Sequence, residues 1–377
     1  MYSIKQKPED FVVKEILSLK TGTGKYSYFL MRKIGWDTVR ACNEIAKRLN
    51  INPKQVSSAG MKDKYSDSEQ HISIYDVEPR LVTTLQIPGI SLKYIAKGPN
   101  QIAIGSSTGN TFRIAVRDLK FPLENVSVIP NYYDDQRFGT IRPNTSLVGK
   151  KILEGEMEEA LHIYLGRAFR REGKRDRTFR KEIDAKWGRW HEVKIPRGLE
   201  MEYQIIKYLD DRPKDFAGAF KIIPRQIGSL FLQAYQSYLF NKCLSIYIEK
   251  NFDHFFSKYV LDRIAFPKEQ KFISLKVPVI GYDLQSSKEF GEINHQIMKD
   301  ENITPEDFKI KEIPSFSSRS ILRDAFVKVN NFTMGSLQDD ELNPGCKKQT
   351  MTFDLQKGSY ATMAVRYAYE LARLNKR

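Results

Sequence analysis

Apolar residues alternate with polar ones in several short stretches near the start of the chain, then recur at helical spacing through its middle. In "PEDFVVKEI", Phe11 and Val13 share one face, which predicts a strand. The Gly-rich turn "TGTGK" leads to a second strand over Tyr26 to Met31. In "EQHISIYDV", Ile72 and Ile74 alternate as a half-buried strand requires. "SLKYIAKGPNQIAIG" reads as two strands around the turn Gly98-Pro99-Asn100. "GNTFRIAVRDL" places Phe112, Ile114 and Val116 on one side and Arg113 and Arg117 on the other. That pattern predicts an antiparallel sheet covered on one face, with a basic face open to a polyanion. Between these strands, "WDTVRACNEIAKRLN" has a helical period. Val39, Cys42, Ile45, Ala46 and Leu49 fall on one side, Asp37 stands as N-cap, and Asn52-Pro53 ends the run.

From Gly149 onward helical periodicity dominates. Leu230, Phe231, Ala234, Tyr235, Tyr238, Cys243 and Tyr247 form one stripe, which core packing explains best. Strand character returns in "QTMTFDL". A Lys357-Gly358 turn follows, then a closing helix with Ser359 as its cap. The order β-rich, helix-rich, β-rich predicts an α+β domain interrupted by a helical insertion. The expected divisions are 1–150, 151–314 and 315–377.

The chain has 377 residues, 41% of them hydrophobic, which suffices for a substantial core and excludes a disordered chain. Its formal net charge of +15 exceeds what solubility requires and points to a polyanionic partner. Cys42, Cys243 and Cys346 lie far apart with no CxxC pair, and there are five His. That spacing argues against a zinc site or a disulfide framework and fits a reducing, cytoplasmic compartment. No apolar run reaches the length of a membrane span, and the N-terminus lacks the apolar region of a signal peptide.

Three stretches carry candidate chemistry. In "GMKDKYSDSEQ", Asp63 lies between Lys62 and Lys64, whose ammonium groups favour its ionised form. A lone turn Asp is usually a solvated turn residue. This one runs straight into a strand beside Ser68 and Gln70, polar groups that could orient it. In "PNYYDDQRFGTIRPN", aromatics, an Asn and an Arg share a Gly/Pro-bounded loop, suited either to plugging the core or to stacking on unpaired bases. Asp134 and Asp135 are adjacent and diverge, which disfavours a metal site. In "GRAFRREGKRDRTFRKEIDAKWGRW", Arg167, Arg170, Arg171, Lys174, Arg175, Arg177, Arg180 and Lys181 are interleaved with Phe169, Phe179, Trp187 and Trp190. Such a run suits RNA phosphates and bases, and otherwise reads as a solvated helix with internal ion pairs.

Taken together, "KPEDFVVKEI", "SSAGMKDKYSDSEQ", "GNTFRIAVRD", "PNYYDDQRFG", "LFLQAYQSYLFN" and "FDLQKGSYATMAVR" resemble, in order and across nearly the whole chain, the TruD family of tRNA pseudouridine synthases. The resemblance implies a pseudouridine synthase domain with a mixed, largely antiparallel sheet, interrupted by the helix-rich insertion of that family. It implies isomerisation of a tRNA uridine, at position 13 in the D-arm, without metal or cofactor, and with the oligomeric state left open. Residue by residue, Asp63 matches the catalytic aspartate and Lys5 a basic residue near it. Phe11 matches a pocket phenylalanine, Asn131 an active-site asparagine, Tyr133 the aromatic that stacks on the target base, and Tyr360 an aromatic lining the pocket. Two positions depart from the pattern. Asp67 adds a negative charge near the site, and Asp134 stands where a Gly is usual. The residues alone also admit a non-catalytic RNA-binding protein or RNA chaperone, and a metal-dependent nuclease using Asp134 and Asp135. Attack of Asp63 at C1′, attack at C6, and a glycal path remain equivalent at this level.

Overall fold

The computed structural model describes residues 2–285 and 287–376. The chain forms two compact units, Met1–Ile129 with Val327–Arg377, and Pro130–Phe326. The sequence pattern sets the edges of the insertion at 151 and 314; these units divide at 129/130 and 326/327.

The first unit is built on a nine-stranded sheet. Its strands include β1 (Phe11–Ile16), β2 (Tyr26–Lys33), β3 (Val56–Ser58), β4 (Asp67–Tyr75), β5 (Ile90–Gly98) and β6 (Gly109–Leu119). Strands Asn330–Met334 and Lys347–Gln356 continue it beyond β6, so that the order runs from Asn330–Met334 through Lys347–Gln356, β6, β1, β4 and β2 to β5. Most neighbours are antiparallel. The exception is β1 with β4, a parallel pair in which Val12 stands opposite Asp67 and Lys14 opposite Glu69. The fold is therefore α+β with a mixed, largely antiparallel sheet.

Helix α1 (Thr38–Arg48) starts where expected, with the Asp37 carboxylate accepting from the Arg40 N–H. Its buried face is Thr38, Ala41, Cys42, Ile45 and Ala46, packed against Phe29, Met31, Ile72 and Ile74. Val39 falls one helical step off that stripe and is exposed. Gln101–Ile104 is not a strand. The buried Ile102 N–H donates to the Ser73 hydroxyl rather than to a neighbouring strand, and a turn follows at Gly105. The closing helix spans Ala361–Asn375, with Tyr360, not Ser359, at its N-cap.

The expected basic face of β6 is corrected at Arg117. Only 4% of this residue is exposed. Its guanidinium donates to Asp10, Asp340 and Glu341 at 2.8–3.0 Å, while its backbone exchanges hydrogen bonds with Ser3. A guanidinium out of water needs carboxylate partners, so Arg117 ties down the N-terminal segment instead of facing a polyanion.

The second unit centres on the 27-residue helix Arg225–Asn251. Its aromatic stripe is largely core, although Leu230 is exposed. The helix Thr145–Leu153 crosses it so closely at Gly149 that a Cβ there would collide with the Phe231 carbonyl. Tyr235, Tyr238, Lys150 and Lys242 all donate to Glu301, whose carboxyl burial would raise but the two lysines lower to about 2. Helices Lys174–Ala185 and Glu200–Asp211 and the hairpin His254–Lys258 with Arg263–Pro267 complete the main elements.

Replacing Arg117 by Ala would leave buried Asp10 and Asp340 without their cation. The expected loss of stability is about 3–5 kcal/mol, read as a lowered denaturant midpoint; a change near zero would mean the network contributes nothing.

Candidate active site

Parallel strands begin at the same end of a sheet, so the segments that lead into β1 and β4 emerge side by side. Lys5 precedes β1 and Asp63 precedes β4. Across 58 residues of sequence, Lys5 Nζ donates to Asp63 Oδ2 at 2.5 Å. The same ammonium lies 4.3 Å from the centroid of the Phe11 ring, the first residue of β1. Lys5 has φ of 62°, a left-handed conformation that costs energy in a non-glycine residue and is tolerated where the surroundings enforce it. The enforcing contacts are the Ser3–Arg117 bridge on one side and Asp10 on the other, which accepts from the Lys7 N–H and from Arg117.

The loop bearing Asp63 is fixed from beneath. Asp63 Oδ1 accepts from the Tyr65 N–H at 3.1 Å, and the Ser66 hydroxyl donates to the Asp63 carbonyl. Gln70 donates to the Gly60 carbonyl and accepts from Thr38, whose hydroxyl in turn accepts from the Lys62 N–H. Gln70 thus plays the orienting part its position suggests, whereas the buried Ser68 hydroxyl has no partner among the described residues.

The electrostatics differ from the sequence expectation. Lys62 does not face Asp63: its ammonium binds Glu15 at 3.1 Å and Asn110 at 2.7 Å. Lys64 lies over the Tyr65 ring. Burial pushes the Asp63 carboxyl up, but the Lys5 hydrogen bond and charge, the Tyr65 N–H and Lys33 outweigh it and hold it below its ordinary value. Asp63 is therefore ionised at neutral pH, with its charged partners, Lys5 and Lys33, distant in sequence. Asp67 adds no free charge to the site, since Arg32 grips both its oxygens at 2.7 and 2.8 Å.

Two features are not legible in the sequence. Lys33, at the end of β2, is completely buried, and its ammonium donates to the carbonyls of Trp36, Lys62 and Asp63. Met61 and Tyr65, two residues to either side of Asp63 in the chain, are exposed large hydrophobic residues. A cavity of about 380 Å³ lies beside this loop, lined by Gly60, Met61, the start of α1 and Gln101–Ile104; Asp63 itself does not line it.

The first unit thus brings together Lys5, Phe11 and Asp63. Tyr360, half-buried, stands at the start of its closing helix. Asn131 and Tyr133 belong to the second unit. Both are buried and organised by Arg323. Its guanidinium donates to the Asn131 carbonyl and side-chain oxygen and lies 4.1 Å from the Tyr133 ring centroid. Asn241 pairs with both backbone groups of Tyr133. Asp135 accepts from the Val260 N–H, and no cluster of three His, Cys, Asp or Glu side chains able to hold a metal occurs among the described residues.

In the basic run, Arg167, Arg170, Arg171, Lys174, Arg175 and Lys181 are exposed and Arg177 is half-buried. Arg180 is the correction. It is 4% exposed and donates to Glu202 and to the Leu165 carbonyl, with Glu172 3.6 Å away. Phe179 and Trp190 are likewise core residues, Phe179 on the inward face of the helix Lys174–Ala185 and Trp190 in the turn that follows it.

An ionised, accessible carboxylate paired with an ammonium over an aromatic floor suits attack on, or proton removal from, an organic substrate without an electron donor or acceptor. Similarity to known proteins points the same way. The family model for tRNA pseudouridine synthase D (TruD) matches residues 2–270 and 254–367. A Methanosarcina barkeri protein named "Probable tRNA pseudouridine synthase D" is 31% identical over 96% of this chain and 92% of its own length. The Aquifex aeolicus tRNA pseudouridine synthase D is 28% identical, with 96% of this chain and 97% of that protein covered. A crystal structure described as tRNA pseudouridine synthase D (TruD), from Methanosarcina mazei, superposes with a TM-score of 0.73 at 28% identity, covering 98% of this chain and 94% of that one. The fold is that of an RNA-modifying isomerase. The chain belongs to the TruD family of tRNA pseudouridine synthases, enzymes that isomerise uridine in tRNA. Among the described residues no helix is long and apolar enough to cross a membrane.

In Lys5→Met the largest of the forces that lower the Asp63 carboxyl are gone while burial, the Tyr65 N–H and Lys33 remain. Its titration midpoint should rise, observable in the carboxyl ¹³C shift on acidification. A midpoint unchanged from wild type would show that Lys5 does not hold the charge.

Proposed function

We propose that the enzyme converts the uridine at position 13 of the tRNA D-arm to pseudouridine, with Asp63 as the catalytic carboxylate. The position of the target rests on the family resemblance. The role of Asp63 rests chiefly on one observation, its 2.5 Å pairing with Lys5 above Phe11. That pairing keeps the group ionised, while its side chain stays 35% exposed and able to meet a substrate.

The target base must leave its stack before a carboxylate can reach the sugar–base junction. Met61 and Tyr65 offer apolar surface to an extruded base at the rim of the site. Tyr133 takes the stacking role that the resemblance gives it. The Arg323 guanidinium lies 4.1 Å from the centroid of that ring, in a cation–π contact. Asn131 fixes the loop through Arg323.

In the reaction the N1–C1′ bond breaks, the base turns, and a C5–C1′ bond forms. The C5 proton is lost and N1 gains one, so no electrons enter or leave and no cofactor is required. Attack at C1′, addition at C6 and a glycal path all need Asp63 ionised at the outset. Lys5 serves each by stabilising that form.

Affinity for tRNA comes from exposed cations in the second unit. Arg167 to Arg175 and Lys181 supply them without Arg180. A cavity of about 470 Å³ in the same unit adds Arg137, Arg225 and Arg319 beside Tyr133, with no carboxylate in its lining. Phosphates suit such surfaces.

Tritium release from tRNA labelled at uridine C5, in the presence of chelator, tests the reaction. Wild type should release tritium and Asp63→Ala should not; release by both would remove Asp63 from its role. Charge reversal at Arg170 and Arg171 should weaken tRNA binding and reduce its logarithmic salt slope by about 0.7–0.9 for each phosphate no longer engaged. An unchanged slope would make the run a solvated face.

A further inference from the structure

We propose that Lys33 is a positioning residue for Asp63, clamping the catalytic loop from inside the protein through the carbonyls of Lys62 and Asp63. The inference rests on Asp63 being the catalytic carboxylate. Lys33 ends β2 opposite Ser68 on β4, directly under the loop. Its Nζ reaches the carbonyls of Trp36 at 2.7 Å, Asp63 at 2.9 Å and Lys62 at 3.3 Å. An ammonium has three N–H donors, and here all three are used on backbone. The residue joins the turn before α1 to the loop before β4, and it has no exposure through which to serve substrate directly.

A fully buried lysine costs desolvation, and a merely structural position would be filled at lower cost by an apolar side chain. The groups around it are Asp63 and Lys62 on the loop and Asp37 and Cys42 at the start of α1. Burial lowers the ammonium from its ordinary range, opposed by Asp63 and Asp37, to about 8. Above that pH the neutral amine keeps two donors for three carbonyls and loses its charge. The consequence separates activity from stability. A folded-state value below the unfolded one means that the unfolded chain binds more protons between about pH 8 and 10.5. Lys33 therefore favours folding increasingly as pH rises through that window. Its release of the loop lowers activity in the same window.

The test is the single-turnover rate of uridine isomerisation from pH 6 to 10, for wild type, Lys33→Arg and Asp63→Ala, with melting temperatures at each pH. The expected wild-type profile falls on an alkaline limb without loss of fold. In Lys33→Arg, whose charge persists, that limb moves upward; ionisation of the uridine itself is common to both proteins and cannot move it. A flat wild-type profile, or a limb unmoved in a folded Lys33→Arg, overturns the inference. If Lys33→Arg does not fold, hydrogen exchange of residues 61–65 in wild type decides. Protection, corrected for intrinsic rates, should fall between pH 7 and 9.5, and constant protection overturns the inference. A folded Lys33→Met should lose about 100-fold in kcat with KM unchanged; wild-type kcat overturns it. Activity in Asp63→Ala would instead sink the aspartate assignment, whereas an inactive Asp63→Ala with an unmoved Lys33→Arg limb sinks only the role of Lys33.

Discussion

Everything at the site depends on the parallel pairing of β1 with β4. In a sheet otherwise built from antiparallel neighbours, this one pair sets two loop ends side by side and so creates the Lys5–Asp63 contact. An antiparallel pairing would have sent the segments before the two strands to opposite edges. The carboxylate would then keep its burial penalty and lose the Lys5 cation, and it would drift toward the neutral form.

The same logic explains how the chain distributes its positive charge. Arg117, Lys33 and Arg180 are buried and paired inside the protein. Arg117 holds the segment that carries Lys5, Lys33 holds the loop that carries Asp63, and Arg180 closes a carboxylate network in the second unit. A buried cation survives only with partners that replace water, and each of the three has them. The remaining excess is left on the surface, where it is available to a polyanion.

The polar loop around Asp63 is an interlocking set rather than a single turn. Thr38 from α1, Gln70 from β4 and Lys33 from β2 all bind its backbone, so three elements share in placing one side chain. Sites held in this way are precise because no single rotamer decides the geometry.

The sequence by itself determined the strands with clean alternation, the Asp37 cap and the long central helix. These follow from local rules: side-chain period, capping chemistry and turn residues act over a few positions. The family motifs extended that reading to the identity of Asp63 and Lys5 as partners in one site. What only the tertiary structure decided was which charges meet. Lys62 and Lys64 adjoin Asp63 in sequence yet point elsewhere, and Lys5 and Lys33 supply the field instead. Arg113 and Arg117 share one side of β6 in the alternation, yet end respectively at the surface and in the core. Electrostatic partnership depends on distance through space and on burial, and neither is a property of a short stretch of chain.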